Sequence, residues 1–300
     1  MKTKHLTVGC VIAGCLIVSP FLVHNYFAKQ EAEQQVNAQP PIVEEIKTGL
    51  AAVYYYEEDK AERYTAYQEL HPELSDEDIV WQVNAGLDYP FYEIIQPADL
   101  TAPCLIVNKY YALAADYEPE DLVALPSGKK ATRETAEAYA LMDAAAKEAG
   151  CKLYATSAYR TYNYQDTLYN RYLERDGDRA LVDTYSARPG HSEHQTGLAI
   201  DLIGSFGSLS DFKNTPEGAW VKENCYKYGF IIRYQADNVN YTGYQDEPWH
   251  IRYVGVETAA AMRELGINTL EEYVIKYIEH QPPTDLAVST DAAHGSQAAL

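Results

Sequence analysis

Basic side chains are in short supply in this chain of 300 residues, where 24 Lys and Arg face 44 Asp and Glu and leave a formal charge of −20. That imbalance excludes a large basic patch at the level of the whole chain, and with it a nucleic-acid partner. Cysteine is scarcer still: there are five, and no two form a CxxC pair. A disulfide scaffold, a thiolate zinc site and a thioredoxin-type redox centre are therefore not supported. No internal repeat is visible. What is present is a globular composition, 47% hydrophobic and 23% charged, which rules out disorder throughout. The length allows one large domain with appendages or two small ones.

Residues 6–23 carry no ionisable group except the thiols of Cys10 and Cys15. As a helix this run of 18 residues covers about 27 Å, close to the bilayer core. Lys2, Lys4 and His5 precede it and an acidic remainder follows, which predicts a cytoplasmic N-terminus and a body outside the membrane. His24, Asn25, Tyr26 and Phe27 offer no small-x-small cleavage site, so an uncleaved anchor is the first reading and a cleaved signal peptide the second. A third reading is a lipoprotein with Cys15 lipidated, since Ile12-Ala13-Gly14-Cys15 resembles a lipobox. The apolar residues running on to Val23 argue against it.

The expected organisation is a cytoplasmic N-terminus and membrane anchor over 1–29, a solvated linker over 30–45, a helical lead-in over 46–85, a compact domain over 86–280 and a flexible tail over 281–300. The linker is rich in Glu, Gln and Pro. Ser75 and Asp78 make a capping-box-like start for a helix carrying Ile79, Val80, Trp81 and Val83. Tyr54, Tyr55 and Tyr56 read as packing surface. The Ala-rich stretch 132–149, stopped by Gly150, predicts a helix that feeds a strand over 151–157. Thr215-Pro216 opens a second helix ending near Gly229, and the β-rich residues 230–234 follow. Thr269-Leu270-Glu271-Glu272 caps a last helix with Tyr273, Ile275, Tyr277 and Ile278. This irregular mixture predicts an α+β domain with a small, mainly antiparallel sheet and flanking helices.

Chemistry is concentrated in two stretches. In Ser192-Glu193-His194-Gln195-Thr196-Gly197-Leu198-Ala199-Ile200-Asp201 the end alternates as a half-buried strand, with Leu198, Ile200 and Leu202 on one side and Ala199 and Asp201 on the other. Gly197 lets the chain turn, so that His194 swings back toward Asp201. In Glu247-Pro248-Trp249-His250-Ile251-Arg252-Tyr253 the same alternation sets His250 and Arg252 opposite Trp249, Ile251 and Tyr253. If the two strands are neighbours, two imidazoles and a carboxylate form a three-ligand site that leaves zinc a position for water. Glu247, three residues before His250, suits a general base held beside the metal. From spacing alone a structural salt bridge to an arginine fits it equally well.

Ser192-x-His194-x-x-Gly197-x-Ala199-x-Asp201 with Glu247-Pro-Trp-His250 resembles the paired zinc motif of the VanY-type D-alanyl-D-alanine carboxypeptidases, relatives of the VanX dipeptidases. Ser157-Ala158-Tyr159-Arg160 with Gln165, Ala187-Arg188-Pro189-Gly190, Pro216-Glu217-Gly218-Ala219-Trp220 and Tyr228-Gly229-Phe230 support it, so that the likeness spans about two thirds of the chain, residues 83–279. The resemblance implies the hedgehog/D-Ala-D-Ala metallopeptidase fold, Zn2+ as cofactor, His194, Asp201 and His250 as metal ligands and Glu247 as catalytic base. It implies Arg160 as the group that polarises the scissile carbonyl or stabilises its oxyanion, and Gln165 and Ser192 as substrate-holding positions. It further implies a zinc carboxypeptidase acting on peptidoglycan stem pentapeptides, with a role in glycopeptide resistance, which the apolar run at 6–23 would anchor to the membrane. An L,D-carboxypeptidase acting on tetrapeptide stems is the alternative, and a non-catalytic wall-binding module a more distant one.

His191 lies three residues from His194 and is a ligand candidate on spacing alone; it is read as pocket rim, because the family's equivalent position is variable. Trp249 is read as core rather than as a substrate platform. The 27 tyrosines need no binding role. Cys104, Cys151 and Cys225 lie outside the apolar run, and one disulfide among them or buried free thiols are both compatible with the sequence.

Overall fold

The computed structural model describes residues 47–98, 103–205 and 207–280. The anchor, the linker and the C-terminal tail expected from the sequence lie outside these residues. Among the described residues no helix is long and apolar enough to cross a membrane.

In chain order the elements are α1 (Ala61–Leu70), α2 (Asp76–Asn84), β1 (Gln96–Pro97), β2 (Tyr111–Ala112), β3 (Leu122–Ala124), β4 (Lys130–Thr132), α3 (Arg133–Glu148), β5 (Tyr154–Ser157), α4 (Tyr162–Asp176) and α5 (Arg179–Asp183). They continue with β6 (Ala199–Ile203), α6 (Pro216–Asn224), β7 (Phe230–Tyr234), α7 (Val239–Thr242), β8 (Glu247–Tyr253), α8 (Val256–Leu265) and α9 (Leu270–Tyr273). The chain after α9 runs on as a π-helical stretch, Val274–Glu279. The strand expected over 151–157 is shorter, starting at Tyr154. The expected helix starts hold: the hydroxyls of Ser75, Thr132, Thr215 and Thr269 each accept a hydrogen bond from the backbone three residues on.

The central sheet has four antiparallel strands in the order β5-β6-β8-β7. Alternation gives it two unlike faces. One carries Ala155, Ile200, Leu202, Phe230, Ile251 and Tyr253, packed in one core with Tyr139, Met142 and Ala146 of α3 and Val221 of α6. The other carries Asp201, His250, Arg252 and Arg233, all buried. β6 is therefore covered on both sides rather than half-buried, because its polar face is roofed by the loops that complete the site. An α+β domain with a mainly antiparallel sheet is what forms; the β1-β2 pair is the parallel exception.

The lead-in does not stand apart. Tyr55, Tyr64 and the apolar residues of α2 form a second core that includes Ile275, and Tyr54 donates from its hydroxyl to the Lys276 carbonyl. From Thr48 on, the described residues make one compact unit. Cys104, Cys151 and Cys225 are buried free thiols, which resolves the disulfide question for these three.

Candidate metal centre and catalytic pocket

Three local devices bring the ligand candidates together. Asp201 and His250 are Cα partners across β6 and β8. His194 sits on a short 3-10 turn, Glu193–Thr196, that ends at Gly197 with φ +71°. A Cβ on Gly197 would lie 3.1 Å from side-chain atoms of Leu122 and Thr132, so glycine serves both the left-handed turn and the close approach. The turn is fastened to the loop after β5, where Arg160 N donates to the His194 carbonyl at 3.1 Å.

The distances describe a compact cluster. Asp201 Oδ2 lies 3.2 Å from His194 Nε2, and Asp201 Oδ1 lies 3.0 Å from His250 Nδ1. One ligand atom from each of these three residues falls within 4.8 Å of the others. Tetrahedral zinc with ligands at about 2.1 Å needs donors roughly 3.4 Å apart, and two nitrogens with one carboxylate leave a fourth position open. The donor set fits zinc. His194 Nδ1 faces the Ala158 carbonyl at 2.7 Å. A carbonyl only accepts, so Nδ1 carries the proton and Nε2 offers its lone pair to the cluster.

Electrostatics separate the four ionisable groups. Burial and then Arg160 push His194 down to about 4. Burial would also lower His250, but hydrogen bonds to Asp201 and Glu193 raise it to about 9. Burial opposes ionisation of Asp201, yet His194, His250 and Arg160 hold its carboxyl well below the usual range. Glu247 goes the other way: burial pushes it up to about 7, against the pull of His250. Its Oε2 is 4.0 Å from His250 Nδ1, and among the described residues it pairs with no arginine. The arrangement thus favours the base over the structural salt bridge that spacing left open.

Arg160 donates from Nη2 to Asp201 Oδ2 at 2.7 Å and from Nε to Ser157 Oγ at 2.8 Å. Gln165, on α4, donates to the Ala187 carbonyl at 2.8 Å, while its Oε1 accepts from Arg160 Nη1 at 3.5 Å. Its amide is committed to the protein on both sides. Ser192 is buried beside His194. Arg160, Gln165, Ser192, His194, Asp201 and Glu247 all line one cavity of about 260 Å³; His250 does not line it and joins the cluster through Asp201. Trp249 lines the same cavity while packing against the core, so it is both wall and filler. His191 is not on the rim: it is buried, with Nδ1 2.7 Å from the Asn108 carbonyl and its ring edge-on to Tyr92.

Glu193 was not singled out from the sequence. Its carboxylate is fully buried between Arg233 and Arg252, and Oε2 lies 3.4 Å from His250 Nε2. Burial would raise its pKa, but Arg252 and Arg233 outweigh burial and keep it ionised. An acid next to a histidine in the chain gives no signal that it reaches a different histidine in space.

Comparison with known proteins agrees with this geometry. Residues 128–256 match the family described as VanY: D-alanyl-D-alanine carboxypeptidase. The bifunctional D-Ala-D-Ala dipeptidase and D-Ala-D-Ala carboxypeptidase VanXYC of Enterococcus gallinarum is 31% identical over 176 residues, 56% of this chain and 91% of that protein. A crystal structure of the vancomycin-resistance D,D-pentapeptidase VanY from a VanB-type cassette, in complex with Zn(II), is 33% identical with a TM-score of 0.51, covering 57% of this chain and 98% of that one. The LdcB LD-carboxypeptidase is 40% identical with a TM-score of 0.52, covering 56% of this chain and 83% of that one. The first curated relatives are matched over 66%, 39% and 65% of their own lengths. The fold is that of the VanY- and VanX-like metallopeptidases. The chain belongs to the VanY D-alanyl-D-alanine carboxypeptidase family.

Proposed function

We propose that the chain is a zinc-dependent D,D-carboxypeptidase that removes the terminal D-alanine from peptidoglycan stem pentapeptides, with His194, Asp201 and His250 holding the metal. The observation that carries this reading is Glu247, a nearly buried carboxylate poised near neutrality beside the three donors and free of an arginine. Zinc held there would supply Lewis acidity toward the scissile carbonyl and acidify a water. Glu247 takes the proton of the attacking water on its carboxylate and passes it to the departing amine. Arg160, whose guanidinium keeps its charge and lies in the cavity wall, stabilises the developing oxyanion. Ser192 and Gln165 shape the wall against which the substrate's terminal groups rest.

The apolar run at 6–23, with basic residues before it, supports a membrane anchor that holds this domain on the outer side, where stem peptides are found. Trimming pentapeptides there removes the D-Ala-D-Ala ending that glycopeptides bind, which is the basis of a resistance role. A second reading is favoured by the 40% identity to the LdcB LD-carboxypeptidase: cleavage of tetrapeptide stems. Mass spectrometry of products from pentapeptide and tetrapeptide substrates, with and without a chelator, tests both. Chelator-sensitive D-alanine release from the pentapeptide is expected; cleavage of tetrapeptide alone would establish the second reading, and no release from either would leave a wall-binding module.

A further inference from the structure

Behind the metal-ligand cluster the sheet buries more charge than the proposed chemistry uses. Glu193, Arg233, Arg252 and Glu271 are all buried, two acids and two bases whose charges cancel. Such a group is a poor source of stability, because apolar residues of similar volume often do as well or better. Its arrangement around Glu193 is uneven. Oε1 accepts from Arg252 Nη1 at 2.6 Å and from Arg233 Nε at 2.8 Å, while Oε2 faces His250 Nε2 at 3.4 Å. One oxygen belongs to the arginines and the other to the imidazole.

Both arginines are themselves held. Arg252 donates from Nη2 to the carbonyls of Pro103 and Leu105 at 2.9 Å each, and Arg233 Nη2 donates to Glu271 at 2.6 Å. The carboxylate of Glu193 therefore cannot turn without breaking two charged pairs. The His250 ring is confined from the sides as well, with Tyr234 at 5.0 Å and the edge-on ring of His194 at 4.9 Å.

We infer that Glu193 is a positioning residue for the metal centre: its Oε2 accepts the proton on His250 Nε2 and so fixes the ring with Nδ1, as a lone pair, turned to Asp201 and the metal position. The inference rests on His194, Asp201 and His250 being the metal ligands. Carboxylate partners of this kind orient a ligating imidazole and strengthen it as a donor. On the nitrogen turned away from the cluster, the other imidazole has a neutral partner, the Ala158 carbonyl. Because Glu193 and His194 are consecutive, one 3-10 turn sets both rings: His194 directly, and His250 across the sheet through the carboxylate.

The competing account is that Glu193 only neutralises two arginines. Chelator competition on the zinc-loaded chain separates the two. Glu193→Gln keeps an oxygen for the arginines but loses the anionic acceptor, and zinc affinity is expected to fall about 10- to 100-fold. A folded variant with wild-type zinc affinity, whatever its melting temperature, overturns the positioning role. Should that variant fail to fold, the wild-type protein answers: with 15N-labelled histidine and zinc bound, His250 Nε2 is expected to carry a hydrogen-bonded proton that exchanges slowly. A proton exchanging as fast as that of the partly exposed His71 overturns the inference. Failure of the ligand assignment reads differently, since His250→Ala would then bind zinc like the wild type, whereas failure of the Glu193 role alone leaves His250→Ala unable to hold it.

Discussion

His250 and Asp201 face each other across β8 and β6, with Nδ1 of one 3.0 Å from Oδ1 of the other. Two metal-ligand candidates thus form a cross-strand pair, and their spacing is set by sheet register rather than by a loop. A slip of one residue would turn both to the opposite face, so the apolar core on that face also protects the site. His194 alone depends on a turn, and that turn is fixed by Gly197 and by the hydrogen bond from Arg160 N.

Replacing the base without touching the ligands tests the division of labour. Glu247→Gln keeps the shape of a side chain 14% exposed and removes its basicity. D-Alanine release is expected to fall by about 10²- to 10⁴-fold, with zinc content unchanged at one per chain by elemental analysis. An unchanged rate would take Glu247 out of the mechanism.

Much of the site was legible because the strands alternate: Asp201 and His250 could be set on one face from sequence, and the caps at Ser75, Thr215 and Thr269 marked helix starts that the structure keeps. The long polar helix α4 was not foreseen, since its apolar residues are mostly tyrosines spread around a charged surface. Nor was α8, which begins directly after Gly255 with no side-chain cap. Strand order was equally hidden, because β6 skips β7 to pair with β8. Nothing in the sequence marks Glu193; its partners Arg233 and Arg252 stand 40 and 59 residues away, and only the fold delivers them.

The metal-free protein is expected to lose stability as pH rises above about 6.5. Glu247 has a folded-state pKa of about 7 against an ordinary 4.5, so its contribution is full below about 4.5 and is lost as pH rises through 7. His250, raised from 6.5 to about 9, contributes fully below 6.5 and loses that contribution as pH rises through 9. His194, lowered to about 4, works oppositely and costs stability as pH falls from 6.5 through 4. The Glu247 part is on the order of 3 kcal/mol. Thermal unfolding of chelator-treated protein between pH 5 and 9 measures it: from pH 5 to 6.5 the Glu247 loss and the His194 gain offset each other, so Glu247→Gln should turn a nearly level stretch into one that rises with pH. A wild-type melting temperature that rises over that stretch would contradict the burial of this carboxylate.

Arg160→Lys distinguishes a guanidinium from a point charge. Arg160 reaches Asp201 with Nη2 and Ser157 with Nε at once, and one ammonium has no such fork. Turnover is expected to drop about 10²- to 10³-fold while zinc stays bound, because the three donors are untouched. Equal turnover by the lysine enzyme would show that charge alone suffices.

Gly218 offers a test of the scaffold that leaves the chemistry aside. It lies inside α6, where alanine is ordinarily better than glycine by about 1 kcal/mol. Here a Cβ would sit 2.0 Å from the carbonyl oxygen of Phe212, a residue with no exposed surface in the main core. Backbone cannot yield as a side chain tip can, so the clash outweighs the helix preference, and Gly218→Ala should destabilise the fold by about 1–3 kcal/mol. For a compact unit of this size that is a fall in melting temperature of roughly 2–12 °C. Gly150→Ala is the control. A Cβ there meets nothing within 4 Å, but φ is +81°, so its cost is confined to the left-handed backbone, about 1–2 kcal/mol. A Gly218→Ala protein as stable as the wild type would mean that α6 can shift away from Phe212, and that the packing of this helix against the sheet is looser than the structure describes.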